Sequence, residues 1–131
     1  MKKLWAILAG LSAAFCVVIV IEIISHKLYP LPENVDPNNY EQMAALLKKA
    51  PTGSLLIVAL GHLLGMFVGV SISLRILKEL SAAYIVGGLF MLLTLGNLFM
   101  LPHQTWFMVA DIAAVLLGGL IPYMAFKKRL G

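Results

Sequence analysis

Four long apolar runs dominate this chain and limit what it can fold into. They cover about residues 4–26, 53–76, 81–101 and 105–126. Because a helix rises ~1.5 Å per residue, about 20 residues cross the ~30 Å hydrocarbon core of a bilayer, and each run is long enough. Apolar residues make up 61% of the 131 residues and charged residues 12%, whereas an ordinary soluble domain has about 45–50% and about 25%. The sequence therefore predicts an all-α membrane protein, a four-helix transmembrane bundle formed by one domain over residues 1–131.

The first run resembles a secretory signal peptide at its start, where Lys2 and Lys3 precede the apolar residues. Its apolar stretch, residues 4–24, is longer than the apolar region of a signal peptide and long enough to span. Phe15 precedes Cys16 where a lipoprotein cleavage box needs a small residue. We therefore expect a transmembrane span that is retained. As the single cysteine, Cys16 cannot form an intramolecular disulfide.

Basic residues are distributed unevenly between the two ends of the predicted spans. Seven lie on the side of the chain termini and three on the other: Lys2, Lys3, Arg75, Lys78, Lys127, Lys128 and Arg129 against Lys27, Lys48 and Lys49. Loops on the cytoplasmic side are enriched in Lys and Arg, so both termini are predicted in the cytoplasm. These charges flank apolar runs and are not interleaved with aromatic residues. The expected partner is therefore a lipid bilayer, and no nucleic acid.

Residues 27–52 form the one sizeable polar region, on the predicted outer side. Asp36 and Pro37 predict a helix start, with Asp36 as the N-cap and Pro37 in the first helical position. Apolar residues then recur at helical spacing as far as Lys49. This pattern predicts an amphipathic helix on the membrane surface or over the mouth of the bundle, between the first two spans. A packed connector and a functional lid both fit it.

Small residues form a stripe along the second run and recur on the fourth. They are Gly61, Gly65, Gly69 and Ser73 on the second run and Gly118 on the fourth. Small side chains at every fourth position let helix backbones approach closely in a membrane. The stripe fits a partner helix in the same chain and equally one in another copy, so a homo-oligomer is one prediction.

Polar side chains inside the runs give the main functional signal. Glu22, His62 and Asp111 come from three different spans, and at ~1.5 Å per residue all three fall in the outer half of the predicted bilayer. Such residues are costly in hydrocarbon and are functional candidates by default. Secondary candidates at a similar depth or at the rim above are His26, Asn97 and His103. The shared depth predicts a pocket that opens to the outside.

Two carboxylates and an imidazole allow three kinds of site. They suit a divalent metal such as zinc, iron, nickel or manganese, which makes a divalent metal the candidate cofactor. They also suit a cation or a proton, because a buried carboxylate anion needs a partner. A structural hydrogen-bonded network that orients the helices explains the same residues. No compact metal motif such as HExxH is present to decide among them.

Catalytic motifs are missing from the chain. There is no Walker loop, Rossmann glycine pattern, CxxC or nucleophile elbow, so no catalytic residue is assigned and a non-enzymatic role is favoured. The leading hypothesis is a small membrane protein whose outward-facing carboxylate and histidine site binds or passes a cation or a proton. One alternative is a structural or accessory subunit of a larger membrane complex. Another is a membrane-embedded metalloenzyme acting on a lipid-like substrate.

A family resemblance lies in the pattern Glu22-x-x-x-His26, Tyr29-Pro30-x-Pro32, Asp36-Pro37, Pro51 and His62-x-x-Gly65-x-x-x-Gly69. The chain resembles a family of small bacterial membrane proteins with four predicted spans. That family has no established activity. The resemblance therefore implies a bacterial inner-membrane placement and no particular reaction.

Overall fold

The computed structural model describes residues 1–100 and 103–130 of the chain. In this part of the chain there are five helices and no strand: α1 (Lys2–Leu28), α2 (Tyr40–Lys48), α3 (Thr52–Leu77), α4 (Ser81–Met100) and α5 (Thr105–Leu130). The predicted end of the third span at residue 101 lies outside the described residues, as does residue 131 of the predicted domain. The last helix continues four residues beyond the predicted end at residue 126.

Four of these helices, α1, α3, α4 and α5, are long and apolar enough to cross a membrane. The predicted class, an all-α four-helix bundle with a further helix between the first two spans, is therefore confirmed. The spans alternate in direction, so two ends of the bundle can be named. The loop end carries the long α1–α3 connection and the start of α5, and the terminal end carries both chain termini and the α3–α4 turn.

Helix α3 is the central element and packs against α1, α4 and α5. Ten of its residues are buried, compared with four in α1 and six in α4. Helix α3 ends at Leu77, and its C-cap is Lys78, which has a left-handed backbone (φ 58°). The Lys78 N–H donates a hydrogen bond to the Leu74 carbonyl, and the chain then turns into α4. A position at the centre of the bundle explains why α3 carries the small-residue stripe.

The stripe packs against α1 of the same chain. A Cβ atom placed on Gly69 would stand 2.8 Å from the Gly10 carbonyl oxygen, and one on Gly65 would stand 2.9 Å from Val18. Gly61 meets Ile21 in the same way, and Ser73 lies beside Gly10. The two backbones therefore touch along a seam that side chains larger than hydrogen would force apart. This contact uses the stripe within one chain, and a homo-oligomer stays a prediction.

Helix α2 begins later than predicted. Asn39 is its N-cap, because the Gln42 backbone N–H donates to the Asn39 side chain (3.1 Å). The N-cap assignment to Asp36 is wrong, since the Asp36 carboxylate accepts the Asn38 N–H (2.9 Å) and closes a turn instead. At the other end of α2 the Gln104 amide donates to the carbonyls of Leu47 and Ala50 (both 3.2 Å). Gln104 therefore ties the α1–α3 connection to the start of α5.

Candidate functional site

Two of the predicted site residues meet at the interface of α3 and α5. His62 Nδ1 lies 2.6 Å from Asp111 Oδ1. Asp111 is 0% exposed and His62 8% exposed, so the pair is out of contact with bulk solvent. The helices come this close because Gly118 has no side chain: a Cβ atom there would collide with the backbone carbonyl of Leu63. A glycine on α5 thus brings Asp111 within hydrogen-bonding reach of α3.

The pair lies between two apolar clusters. On the side of the loop end, about one helical turn away, are Ala59 and Phe107, which belong with Leu55 and Leu98 to the loop-end cluster. On the other side are Met66 and Val115 of the central cluster. Its buried members are all apolar: Ala14, Met66, Val70, Leu74, Ala82, Ala83, Val86, Phe90 and Val115. The pair is therefore a polar contact within an apolar interface, where each unmet hydrogen bond is costly.

The second carboxylate oxygen of Asp111, Oδ2, differs from Oδ1, which contacts His62. Oδ2 is buried, and no hydrogen-bond partner for it exists among the described residues. A buried carboxylate anion with one oxygen unsatisfied is unfavourable by several kcal/mol, on the order of the desolvation cost of an ion. The pair carries no net charge in two arrangements, as carboxyl and imidazole or as carboxylate and imidazolium. Each of these two states holds one proton more than carboxylate and neutral imidazole.

The opposite side of His62 faces α1 and α4. Its ring meets the Phe90 ring edge to face (centroids 6.4 Å apart, 78° between planes). His62 also lines a narrow crevice between α1 and α3 that Glu22, Ser25 and Val58 share. The crevice is too narrow to admit a water molecule in this structure. Because Nδ1 lies on Asp111, Nε2 is the ring nitrogen left outside the pair.

Glu22 reaches the same crevice from the outer surface of α1. Its side chain is exposed, in contrast to Ser25 one turn further along the helix, which is buried. The sequence placed Glu22 with His62 and Asp111 in one cluster. The structure joins His62 to Asp111 directly and leaves Glu22 at the mouth of the crevice, because the α1–α3 seam turns Ile21 toward Gly61 and Glu22 toward the surface.

The secondary candidates lie elsewhere. Asn97 and His26 are exposed. His103 donates from Nδ1 to the Leu98 carbonyl (3.3 Å) and stacks on Phe107 (5.5 Å between centroids), so it belongs to the rim of the loop-end cluster. Among residues 1–100 and 103–130, no three His, Cys, Asp or Glu side chains approach closely enough to hold a metal ion. The geometry therefore gives the divalent-metal prediction no support.

A contact between Tyr84 and Tyr123 is not predicted by the sequence. The hydroxyls of Tyr84 and Tyr123 lie 2.7 Å apart near the terminal end, with the rings tilted at 56°, and Lys127 Nζ is 6.0 Å from the Tyr123 ring. Tyr123 alone is typical of the aromatic belt of a membrane protein. No signal in the sequence pairs it with a residue 39 positions earlier.

The fold and the buried pair define the class: a small multi-pass membrane protein with a buried histidine–aspartate pair between two of its helices. Comparisons with protein-family models, with curated proteins and with solved structures found no match. The resemblance to small bacterial four-span proteins therefore stays a prediction, and the case for a function rests on the geometry of the pair.

Proposed function

We propose that this protein binds a proton at the His62–Asp111 pair, and that the proton enters from the loop end past Glu22. The observation that carries this proposal is the buried Asp111 carboxyl, which has one oxygen on His62 and the other without a partner among the described residues. Protonation of either member neutralises the pair, and it needs no room beyond the atoms already present. A proton is the ligand that such a closed site accommodates.

The geometry favours a proton over a metal ion. A divalent cation in protein takes at least three or four ligands at fixed distances. Two side chains meet here, and no third His, Cys, Asp or Glu joins them among the described residues. The neighbouring crevice is too narrow for a water molecule that would complete a coordination shell. The metalloenzyme hypothesis loses its main support for the same reason.

The surroundings of the pair favour binding over passage across the bundle. Toward the loop end, Glu22 shares the crevice with His62 and supplies a carboxylate at its mouth. Toward the terminal end the pair meets the buried apolar members of the central cluster, beginning with Met66 and Val115. A proton relay needs successive polar groups. A proton therefore binds to the pair, and leaves it, from the loop end.

The distribution of basic residues supports an orientation for this site. Seven of the ten Lys and Arg residues flank the terminal end, which favours an orientation with that end in the cytoplasm and the crevice toward the outside. In a bacterial inner membrane, the outside is the more acidic side of an energised cell. The proposal accordingly describes a sensor of external protons.

Infrared difference spectroscopy tests proton binding directly. The chain is reconstituted in vesicles and stepped from mildly alkaline to mildly acidic pH, and the carboxyl and imidazole stretching regions are recorded. We expect a protonation band that disappears in Asp111→Asn, where the amide oxygen still accepts from His62 Nδ1–H. Glu79→Gln, in the α3–α4 turn, is the matched control and should keep the band. A spectrum unchanged by Asp111→Asn would refute the proposal.

A second candidate function is that of a structural or accessory subunit. It is favoured by the position of the pair between two apolar clusters, where it fastens α3 to α5. On this account the pair keeps one protonation state at every pH the protein tolerates. A folded wild type in which neither a carboxyl band nor an imidazole band changes with pH would favour this function over proton binding, whereas a lower melting temperature of His62→Ala is expected on both accounts.

A further inference from the structure

A groove at the terminal end lies between α3 and α5, away from the His62–Asp111 pair. Its walls are apolar, with Phe67 on α3 and Pro122 and Phe126 on α5, and its volume is about 180 Å³. Two guanidinium groups stand in its lining, Arg75 from α3 and Arg129 from α5. We call it the arginine groove. It combines an apolar wall with two cationic groups, so it complements the acyl chain and the phosphate of an anionic lipid.

Among the described residues, no carboxylate lies within ion-pair distance of either arginine. Within residues 1–100 and 103–130 the one ion pair closer than 4.0 Å is that of His62 and Asp111. Glu79, the one Asp or Glu at the terminal end, accepts a hydrogen bond from Ser81 (3.2 Å). Seven of the ten Lys and Arg residues lie at this same end. The groove therefore presents a net positive charge that the described residues leave unbalanced.

The helix dipoles at this end disfavour a bound anion, but their effect is smaller than that of the two arginines. Helices α3 and α5 run in the same direction, so their C-terminal ends meet at the terminal end. Each C-terminus carries roughly half a negative charge. The two guanidinium groups outweigh this, and Lys127 and Lys128 on the next face of α5 add to the positive field. Ser71 adds a hydroxyl to the lining.

From these features we infer that the arginine groove binds one anionic phospholipid, with its phosphate on Arg75 and Arg129 and an acyl chain along Phe67 and Pro122. Guanidinium groups recognise phosphate with two parallel hydrogen bonds each. Basic pockets between transmembrane helices at the cytoplasmic surface suit such headgroups. The inference is independent of proton binding, because the two sites share no residue: His62 lies near the middle of α3, and the groove runs along α3 from Phe67 toward its C-terminal end.

Native mass spectrometry of the full chain in a neutral detergent tests this site. The probes are phosphatidylglycerol and phosphatidylcholine with the same acyl chains, offered in competition. The wild type should retain phosphatidylglycerol with a preference of roughly tenfold or more, on the scale expected for two basic side chains at a lipid phosphate. The double variant Arg75→Gln/Arg129→Gln should lose that preference.

A matched variant separates the groove from general basicity. Lys127→Gln/Lys128→Gln removes the same number of charges from the same end, outside the groove, and should keep most of the preference. Equal loss in the two double variants, or a wild type that does not distinguish the lipids, would overturn the inference. So would displacement of the lipid by excess inorganic phosphate, since a free-phosphate site would then be the better account.

A second substitution keeps the test decisive if the glutamine variant does not fold. Arg75→Lys/Arg129→Lys retains both charges and removes the planar fork that two-point phosphate binding requires. The lipid preference should then fall severalfold while circular dichroism shows an unchanged helical signal. An undiminished preference in this variant would contradict recognition by the two guanidinium groups.

Discussion

Helices α3 and α4 are both apolar and both carry glycine, yet they pack in opposite ways. On α3, a Cβ atom on Gly65 or Gly69 would come within 3 Å of α1. On α4, a Cβ atom on Gly88 or Gly96 would meet nothing within 4 Å. Small residues at every fourth position of α3 lie on one helix face and form a continuous seam, whereas Gly88 and Gly96 of α4 are separated by the larger Leu92. The spacing of small residues therefore carries the packing information, and their number does not.

The same contrast explains where the polar pair lies. Helix α3 is in close contact with α1 along the seam and with α5 where Gly118 of α5 meets Leu63. The boundary of α4 with α5 is open, with a groove of about 450 Å³ lined by Gly87, Gly88 and Gly119. A buried carboxyl is stable where its neighbours hold it in place and exclude lipid. The pair accordingly bridges α3 and α5, and α4 contributes the Phe90 ring.

The largest effect expected from this contrast is that of His62→Ala. The substitution leaves the Asp111 carboxyl buried with neither oxygen bonded and opens a cavity, so the free energy of unfolding should fall by about 3 kcal/mol. The measurement is thermal unfolding in detergent, followed by circular dichroism. Asn97→Ala, on the exposed face of α4, is the control and should leave the midpoint unchanged. Equal midpoints for the two variants would show that the pair does not stabilise the bundle.

A second, smaller effect separates the two sets of glycines. Gly69→Ala forces a methyl group toward the Gly10 carbonyl and should destabilise the bundle by about 2 kcal/mol, as overpacking does. Gly88→Ala meets open space and should stabilise by about 0.5 kcal/mol, because alanine restricts the unfolded chain more than glycine does. The same melting assay measures both. If both variants were destabilised alike, the seam would have no special role.

Much of this fold could be predicted from hydrophobic patterning. The start of α3 was predicted at residue 53 and is Thr52, and α4 begins at residue 81 as predicted, because the length of an apolar run sets the length of a span. The start of α2 was missed because Asp36 forms a local turn that competes with the N-cap. Both outcomes depend on local sequence alone.

The candidate site could be predicted only in part. Residue counts along the helices predicted that its members lie at a similar level, and two of its three main members do meet. The position of Glu22 depends on how α1 is rotated, and that rotation follows from which residues of α1 fit against Gly61, Gly65 and Gly69. Such complementarity involves two distant segments. A single sequence does not reveal it.

The smallest effect concerns the tyrosine pair beside the open groove. Tyr84→Phe removes one of two hydroxyls that bond each other at 2.7 Å, but Tyr84 is 63% exposed, so Tyr123 can exchange its partner for water or a lipid headgroup. We expect no measurable shift in the melting midpoint, with Tyr123→Phe as the matched variant. A fall as large as that of Gly69→Ala would mean that this face of α4 is covered when the protein is folded. The difference between α3, which is packed on both sides, and α4, which has an exposed face, would then hold only for the chain on its own.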